Sequence, residues 1–283
     1  ILCAALASGA LVLSGSVAAQ ELKIALIAGK TGPLEAYAKD TEKGFMLGLE
    51  YLTNGTMTLN GRKIRVIVKD DQLKPDLGKA MLAEAYADDK VDIAVGTTSS
   101  GVALAMLPVA EEYKKVLIVE PAVADAITGD KWNRYIFRTG RNSAQDGLAS
   151  AATLKSGGSV AYLAQDYAFG RDGVKAGKEA LAAVGSKAKV VHEEYAPQTT
   201  TDFTAPAQRV FDALKDKPEP RVLGISWAGA HPMTKIADLK PGMTEPAPAC
   251  LALGDPPFLD RHAASPHSQR RSASITGFLN LEV

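Results

Sequence analysis

The chain has 283 residues, with 32 Lys+Arg against 32 Asp+Glu, 46% hydrophobic residues and 23% charged. Those proportions belong to a soluble globular protein with apolar residues for one large core or two smaller ones, and they exclude collagen, low-complexity disorder and a polytopic membrane protein. A formal net charge of zero with no Lys/Arg run offers no clustered positive field for a nucleic acid, and Cys3 and Cys250 at opposite ends give neither a disulfide framework nor a zinc spacing, so no metal or cofactor is expected.

In chain order, residues 1–20 carry no charge, run apolar through Leu13 and end in small residues, with Val17 and Ala19 at the spacing a signal peptidase reads. This pattern predicts a secretory signal peptide, clipped at its start because no Met and no Lys/Arg precede the apolar run. A membrane anchor is the alternative, weakened by Gly9, Ser14, Gly15 and Ser16.

From Leu22 the run LKIALIA is short, rich in β-branched residues and closed by Gly29, the pattern of a buried parallel strand. A helix is predicted over 36–52, with Phe45, Leu49 and Leu52 on one face. Asn54-Gly55 and Asn60-Gly61 punctuate a hairpin before a strand at 62–68. Asp70 and Asp71, close to Pro75, are read as a cap on the next helix, which carries Leu77, Met81, Leu82 and Ala85. A strand at 92–95, a helix at 100–113 and a strand at 116–120 complete a first run. A second run starts near Tyr135 with strand YIFR, and continues with a helix over 144–154, strand SVAYL, a helix over 170–184 and strand KVVHEE. A helix capped by Asp202, strand RVLGIS and a last helix over 231–239 close it. Parallel strands need crossover connections, so this alternation predicts an α/β protein of two doubly wound parallel-sheet lobes.

After Met243 the pattern is lost. Residues 244–283 carry Pro246, Pro248, Pro256, Pro257 and Pro266, and their only basic side chains are Arg261, Arg270 and Arg271. The expectation is a tail, disordered or translated in a shifted frame, with His262 and His267 solvated.

Ligands of open α/β sheets bind outside the carboxyl ends of the strands, which makes the loops there the place to look for a site. Gly29-Lys30-Thr31-Gly32-Pro33 lacks the spacing of a phosphate loop, because Ile24 stands where its first Gly belongs; a tight turn is expected, with Tyr37 able to reach a cleft. Gly96-Thr97-Thr98-Ser99-Ser100-Gly101 sets four hydroxyls at a helix start, where free N–H groups and the positive dipole end suit a carboxylate; an ordinary cap is the alternative. The other such loops carry Pro121-Ala122-Val123-Ala124-Asp125, Asp166-Tyr167-Ala168-Phe169-Gly170 and Trp227-Ala228-Gly229-Ala230-His231-Pro232. Their aromatics suit an apolar ligand body, or core packing. The loops hold no Ser/His/Asp arrangement, no GxSxG and no paired carboxylates, which counts against an enzyme on this fold.

GTTSSGVALAM, PAVADAITG, YIFRTGRNSAQDG, DYAFGRDG and WAGAHP, in that order, together with TGPLEAY and KDDQLKP, resemble the periplasmic type I solute-binding proteins of branched-chain amino acid ABC transporters over about 22–241. The resemblance implies two lobes joined by a hinge that close over a small ligand and deliver it to permease subunits in the inner membrane, without chemistry. It divides the chain into lobe I (21–140), a partial lobe II (141–243) and a tail outside the family (244–283), so the second lobe is expected to be incomplete, by frameshift or truncation. The protein would be periplasmic; a ligand-sensing receptor domain shares the fold and is the alternative. Carried over by position, the resemblance implies that Ser100, with Thr98 or Ser99, receives the ligand carboxylate, that Ala122 and Ala124 contribute from the facing strand end, and that Tyr37, Tyr167, Phe169 and Trp227 cover the side chain. Amino-acid binders of this group commonly place Thr where Ala124 stands. Asp125 is one candidate to meet the ligand ammonium in its place; the other solution is a ligand without an amine, such as an aromatic acid or an amide.

Overall fold

The computed structural model describes residues 21–228 and one further strand, Ser274–Leu281. The predicted leader, the helix expected over 231–239 and the rest of the tail lie outside the described residues.

Strand β1 (Leu22–Ala28) sits in the interior of a six-stranded sheet of order β2-β3-β1-β4-β5-β6. Its neighbours are β3 (Arg62–Asp70) and β4 (Ile93–Gly96), both parallel to it, with β5 (Val116–Val119) and β6 (Ile136–Arg138) continuing the parallel order outward. Because successive side chains point to opposite faces of a strand, Ala25 and Ile27 pack under α2 (Pro75–Ala87) and α3 (Ser100–Tyr113), while Ile24 and Leu26 meet Leu49 of α1 (Glu35–Leu52). Burial on both faces is why the strand is apolar from Ile24 to Ala28 rather than alternating. The short β2 (Thr58–Leu59) turns back on β3 through Asn60 and Gly61, whose φ values of 49° and 77° are those of the tight hairpin turn that Asn-Gly favours.

One assignment changes. The strand YIFR, read as the start of the second run, pairs with β5 through Leu117 and Ile136 and is the last strand of the first sheet. Three residues of β-branched and aromatic type signal a strand but not its partner, and the crossover to the second sheet follows Arg138.

The second sheet has the order β10-β9-β7-β8. Here β7 (Ser159–Gln165), buried along its whole length, is flanked in parallel by β8 (Lys189–Ala196) and β9 (Arg221–Ala228). Helices α4 (Ser143–Ala151) and α5 (Ala168–Ala183) cover one face through Val160, Tyr162, Val174, Leu181 and Val222; α6 (Thr204–Leu214) covers the other through Phe211, Leu214, Leu223 and Ile225. Side chains act at two helix starts. Asn142 and Gln145 form a reciprocal capping box on α4, each accepting the other's backbone N–H at 2.9 Å. At α6 the N-cap is Phe203, without a side-chain cap; Asp202, expected to cap this helix, stands one residue earlier, and its carboxylate accepts the Thr204 N–H at 2.9 Å. Outside β9 runs β10 (Ser274–Leu281), antiparallel, a strand within the stretch whose sequence shows no strand periodicity.

Candidate functional site

The carboxyl ends of β1, β4 and β5 face those of β7 and β9 across a cleft of about 130 Å³. Lobe I supplies Leu34 and Tyr37 at the start of α1, Thr98 and Ser100 at the start of α3, and Pro121, Ala122 and Val123 after β5. Tyr167 and Phe169 after β7 and Ala228 at the end of β9 form the opposite wall, and Arg141 comes from the segment that joins the two sheets.

The geometry of the hydroxyls decides what this wall can hold. Thr98 Oγ1 accepts the Gly29 N–H at 3.1 Å, and Ser100 Oγ accepts the Ala124 N–H at 3.3 Å. A hydroxyl has one proton to give, and an oxygen engaged by a backbone donor leaves that proton to be given elsewhere. Each hydroxyl therefore keeps its proton to donate, and both side chains are buried enough to face little competition from water. Ser99, in extended conformation at the N-cap of α3, makes no side-chain cap, so the first-turn N–H groups and the positive end of the helix dipole add to the same field.

Beneath this loop lies Asp71, fully buried. Its carboxylate accepts the Leu73 N–H at 2.8 Å and the Thr97 hydroxyl, and burial pushes its carboxyl above the ordinary aspartate range. Asp70 accepts N–H bonds from Lys30 at 2.8 Å and Gln72 at 3.0 Å together with the Thr31 hydroxyl; these outweigh its burial and hold its carboxyl low. Neither aspartate caps α2. Strand β3 runs on through Asp70, the N-cap position is Lys74 with no side-chain bond, and Pro75 opens the helix. The pair instead ties the loops after β1 and β4, which carry the site, to the end of β3.

On the lobe II side the Tyr167 and Phe169 rings lie 5.8 Å apart at 49°. Tyr167 is enclosed enough that burial pushes its hydroxyl well above its usual range.

Of the residues expected at the site, Tyr37, Thr98, Ser100, Ala122, Tyr167 and Phe169 share the cleft wall. Ser99 is the buried N-cap of α3, and Ala124 lies behind the wall with its N–H on Ser100. Asp125 does not line the cleft: its carboxylate accepts the Ala144 N–H at 3.0 Å and is pushed up by burial, and its own N–H donates to Asp172 of α5 at 2.9 Å, a direct bond between the lobes. Trp227 is displaced furthest. The strand alternation of β9 puts it on the same face as Leu223 and Ile225, under α6, where its ring meets Phe203 edge-on at 4.9 Å. The cleft also holds Pro121, Val123 and Ala228, which lie in the expected loops but were given no role, and Leu34 and Arg141, which sequence reasoning missed. Arg141 is the one with a signal: it directly precedes the Asn142 cap that opens α4, so it had to fall where the chain passes from one lobe to the other. Its Nε donates to both carboxylate oxygens of Asp146, at 2.8 and 2.9 Å. Among the described residues no helix is long and apolar enough to cross a membrane, and no group of three His, Cys, Asp or Glu side chains gathers as a metal site.

Comparison with known proteins agrees with this architecture. A family profile described as periplasmic binding protein matches residues 21–232. A Leu/Ile/Val-binding protein of Rhizobium johnstonii is 27% identical over 75% of this chain and 55% of its own length. Among solved structures, a branched-chain amino acid ABC-type transporter of Rhodopseudomonas palustris is 67% identical, with a TM-score of 0.60 over 78% of this chain and 60% of that one. A solute-binding protein of an ABC transporter from the same species, in complex with 3,4-dihydroxybenzoic acid, is 30% identical with a TM-score of 0.64 over 78% of this chain and 58% of that one. The chain spans about half the length of the curated relatives it matches.

Proposed function

The chain belongs to the periplasmic binding protein family, and from that membership and the chemistry of the cleft we propose that it is the periplasmic solute-binding component of an ABC transporter, holding a small carboxylate between its lobes. The observation that carries the proposal is the pair of hydroxyls, Thr98 and Ser100, each with its oxygen engaged by a backbone N–H and its proton left for an acceptor at the start of α3. A carboxylate is the acceptor that gains most there, because hydrogen bonds to an ionised group are about twice as strong as neutral ones. Opposite, Tyr167 and Phe169 give an apolar surface for the ligand body. A ligand that touches both walls favours the closed arrangement through contacts the open one lacks, and closure about the segment after Arg138 is the proposed trigger for handing it to permease subunits. The Asp125 to Asp172 bond is a lobe-to-lobe contact that such a motion would make or break. The names of the similar proteins point to branched-chain amino acids and benzoate-type acids as the classes to try.

Thermal unfolding of the purified chain against leucine, isoleucine, valine, benzoate and 4-hydroxybenzoate tests the proposal. A ligand present at 100 times its Kd stabilises the folded state by about 2.7 kcal/mol and raises the midpoint accordingly. A midpoint that no carboxylate moves would count against a carboxylate site.

A further inference from the structure

Resting on the proposed carboxylate site, we infer that Asp172 is a positioning residue for it: through the peptide between Ala124 and Asp125 it holds the aromatic wall of lobe II opposite the Ser100 hydroxyl. One short stretch of chain carries the connection. The Ala124 N–H donates to Ser100 Oγ at 3.3 Å. The peptide that follows is held on both sides: its carbonyl, on Ala124, accepts Arg138 Nη1 at 2.8 Å, and its N–H, on Asp125, donates to Asp172 Oδ2 at 2.9 Å. A carbonyl polarised by a cation makes the N–H of its own peptide a stronger donor. The Asp125 side chain adds a second tie to lobe II, accepting the Ala144 N–H of α4 at 3.0 Å.

The place of Asp172 in its helix gives the contact its use. Asp172 stands three residues after Phe169 in α5, and positions three apart share a helix face. Phe169 is buried and lines the cleft, with the ring of Tyr167, the N-cap residue of the same helix, 5.8 Å from it. The helix moves with its sheet as one body, because it lies against β7 too closely to slide: a Cβ at Gly170 would be 1.9 Å from the Gln165 carbonyl oxygen, and one at Gly177 2.4 Å from the Tyr162 hydroxyl. Holding Asp172 on the Asp125 N–H therefore sets how far the two rings stand from Ser100. Arg138 makes it possible for two aspartates to come together here. Burial pulls its guanidinium below the ordinary arginine range, while Asp125 and then Asp172 pull it back up, so one cation answers both carboxylates. It also ends β6, where the chain leaves lobe I.

Linkage between ligand and contact supplies the test, read by amide hydrogen exchange and calorimetric titration of the 283-residue chain. Leucine, isoleucine, valine, benzoate and 4-hydroxybenzoate are the probes. In the parent chain, saturation with a probe that binds should slow exchange of the Asp125 amide about tenfold or more, since a ligand that needs the wall in place stabilises the bond that places it. Asp172→Ala should speed that exchange and weaken binding of the same probe about tenfold. Asp172→Asn, which keeps an oxygen acceptor, should lose less in both. A bond that served stability alone would leave the affinity of the folded protein unmoved by either substitution. Equal affinities for Asp172→Ala and the parent, or an Asp125 amide whose exchange ignores a bound probe, would overturn the positioning role and leave the carboxylate site standing. Binding of none of the five by the parent chain would overturn both.

Discussion

Replacing Gly96 by alanine is expected to cost lobe I about 4 kcal/mol or more, the effect of strain and overpacking acting at one position. Gly96 ends β4 opposite Ile27 of β1 with φ of 145°, a backbone region that residues with a Cβ rarely occupy. A Cβ there would lie 2.0 Å from the Ile27 carbonyl oxygen. That oxygen belongs to an interior strand of the sheet and is not the end of a flexible side chain, so relief requires β1 and β4 to separate. Since a domain's whole stability is about 5–15 kcal/mol, the variant should unfold at much lower urea concentration or fail to fold. A urea midpoint within a few tenths molar of the parent's would show that the β1–β4 contact is not as close as described. Gly96 also leads directly into Thr97 and Thr98, so the conformation that excludes a side chain is the one that delivers the site loop.

Trp227→Ala carries the second large effect, about 3–5 kcal/mol, the usual result of emptying a buried aromatic site. The ring is 3% exposed and packs among Phe203, Phe211 and Leu214 on the α6 side of β9. Because that face of the strand is turned from the cleft, ligand affinity measured on the folded protein at low temperature should stay within about twofold of the parent. A large loss of affinity with an unchanged unfolding midpoint would return Trp227 to the ligand surface, where its position on a strand-end loop had placed it.

Trp227 also shows where sequence reasoning reaches its limit. The alternation of short β-branched runs with helical patterns was enough to foresee parallel sheets, and the hydroxyl cluster before Gly101 announced a helix start that the structure places at Ser100. These features are local, governed by side-chain period and by the needs of a helix terminus. What failed depends on partners distant in sequence. Asp70 and Asp71 stand close to a proline-led helix, and only the return of the loops after β1 and β4 shows that they clamp those loops instead. Strand YIFR has the right composition for either sheet, and its partner β5 decides between them. Arg141 stands three residues past the end of β6, in a strand-end loop that the search of the other loops left out because it also carries the connection between the two lobes.

The central proposal is that Thr98 and Ser100 receive a carboxylate. Its most direct test is titration of Thr98→Ala and Ser100→Ala with the carboxylate that most raises the unfolding midpoint of the parent chain. A hydrogen bond to a charged group is worth about 1.5–3 kcal/mol, so each variant should bind at least about tenfold more weakly. The ligand-free stability should fall by about 1–3 kcal/mol in each variant, since the buried Gly29 or Ala124 N–H is left without its acceptor, and the affinity is therefore compared on the folded protein. Affinities unchanged in both variants would contradict the claim and move the ligand away from the start of α3.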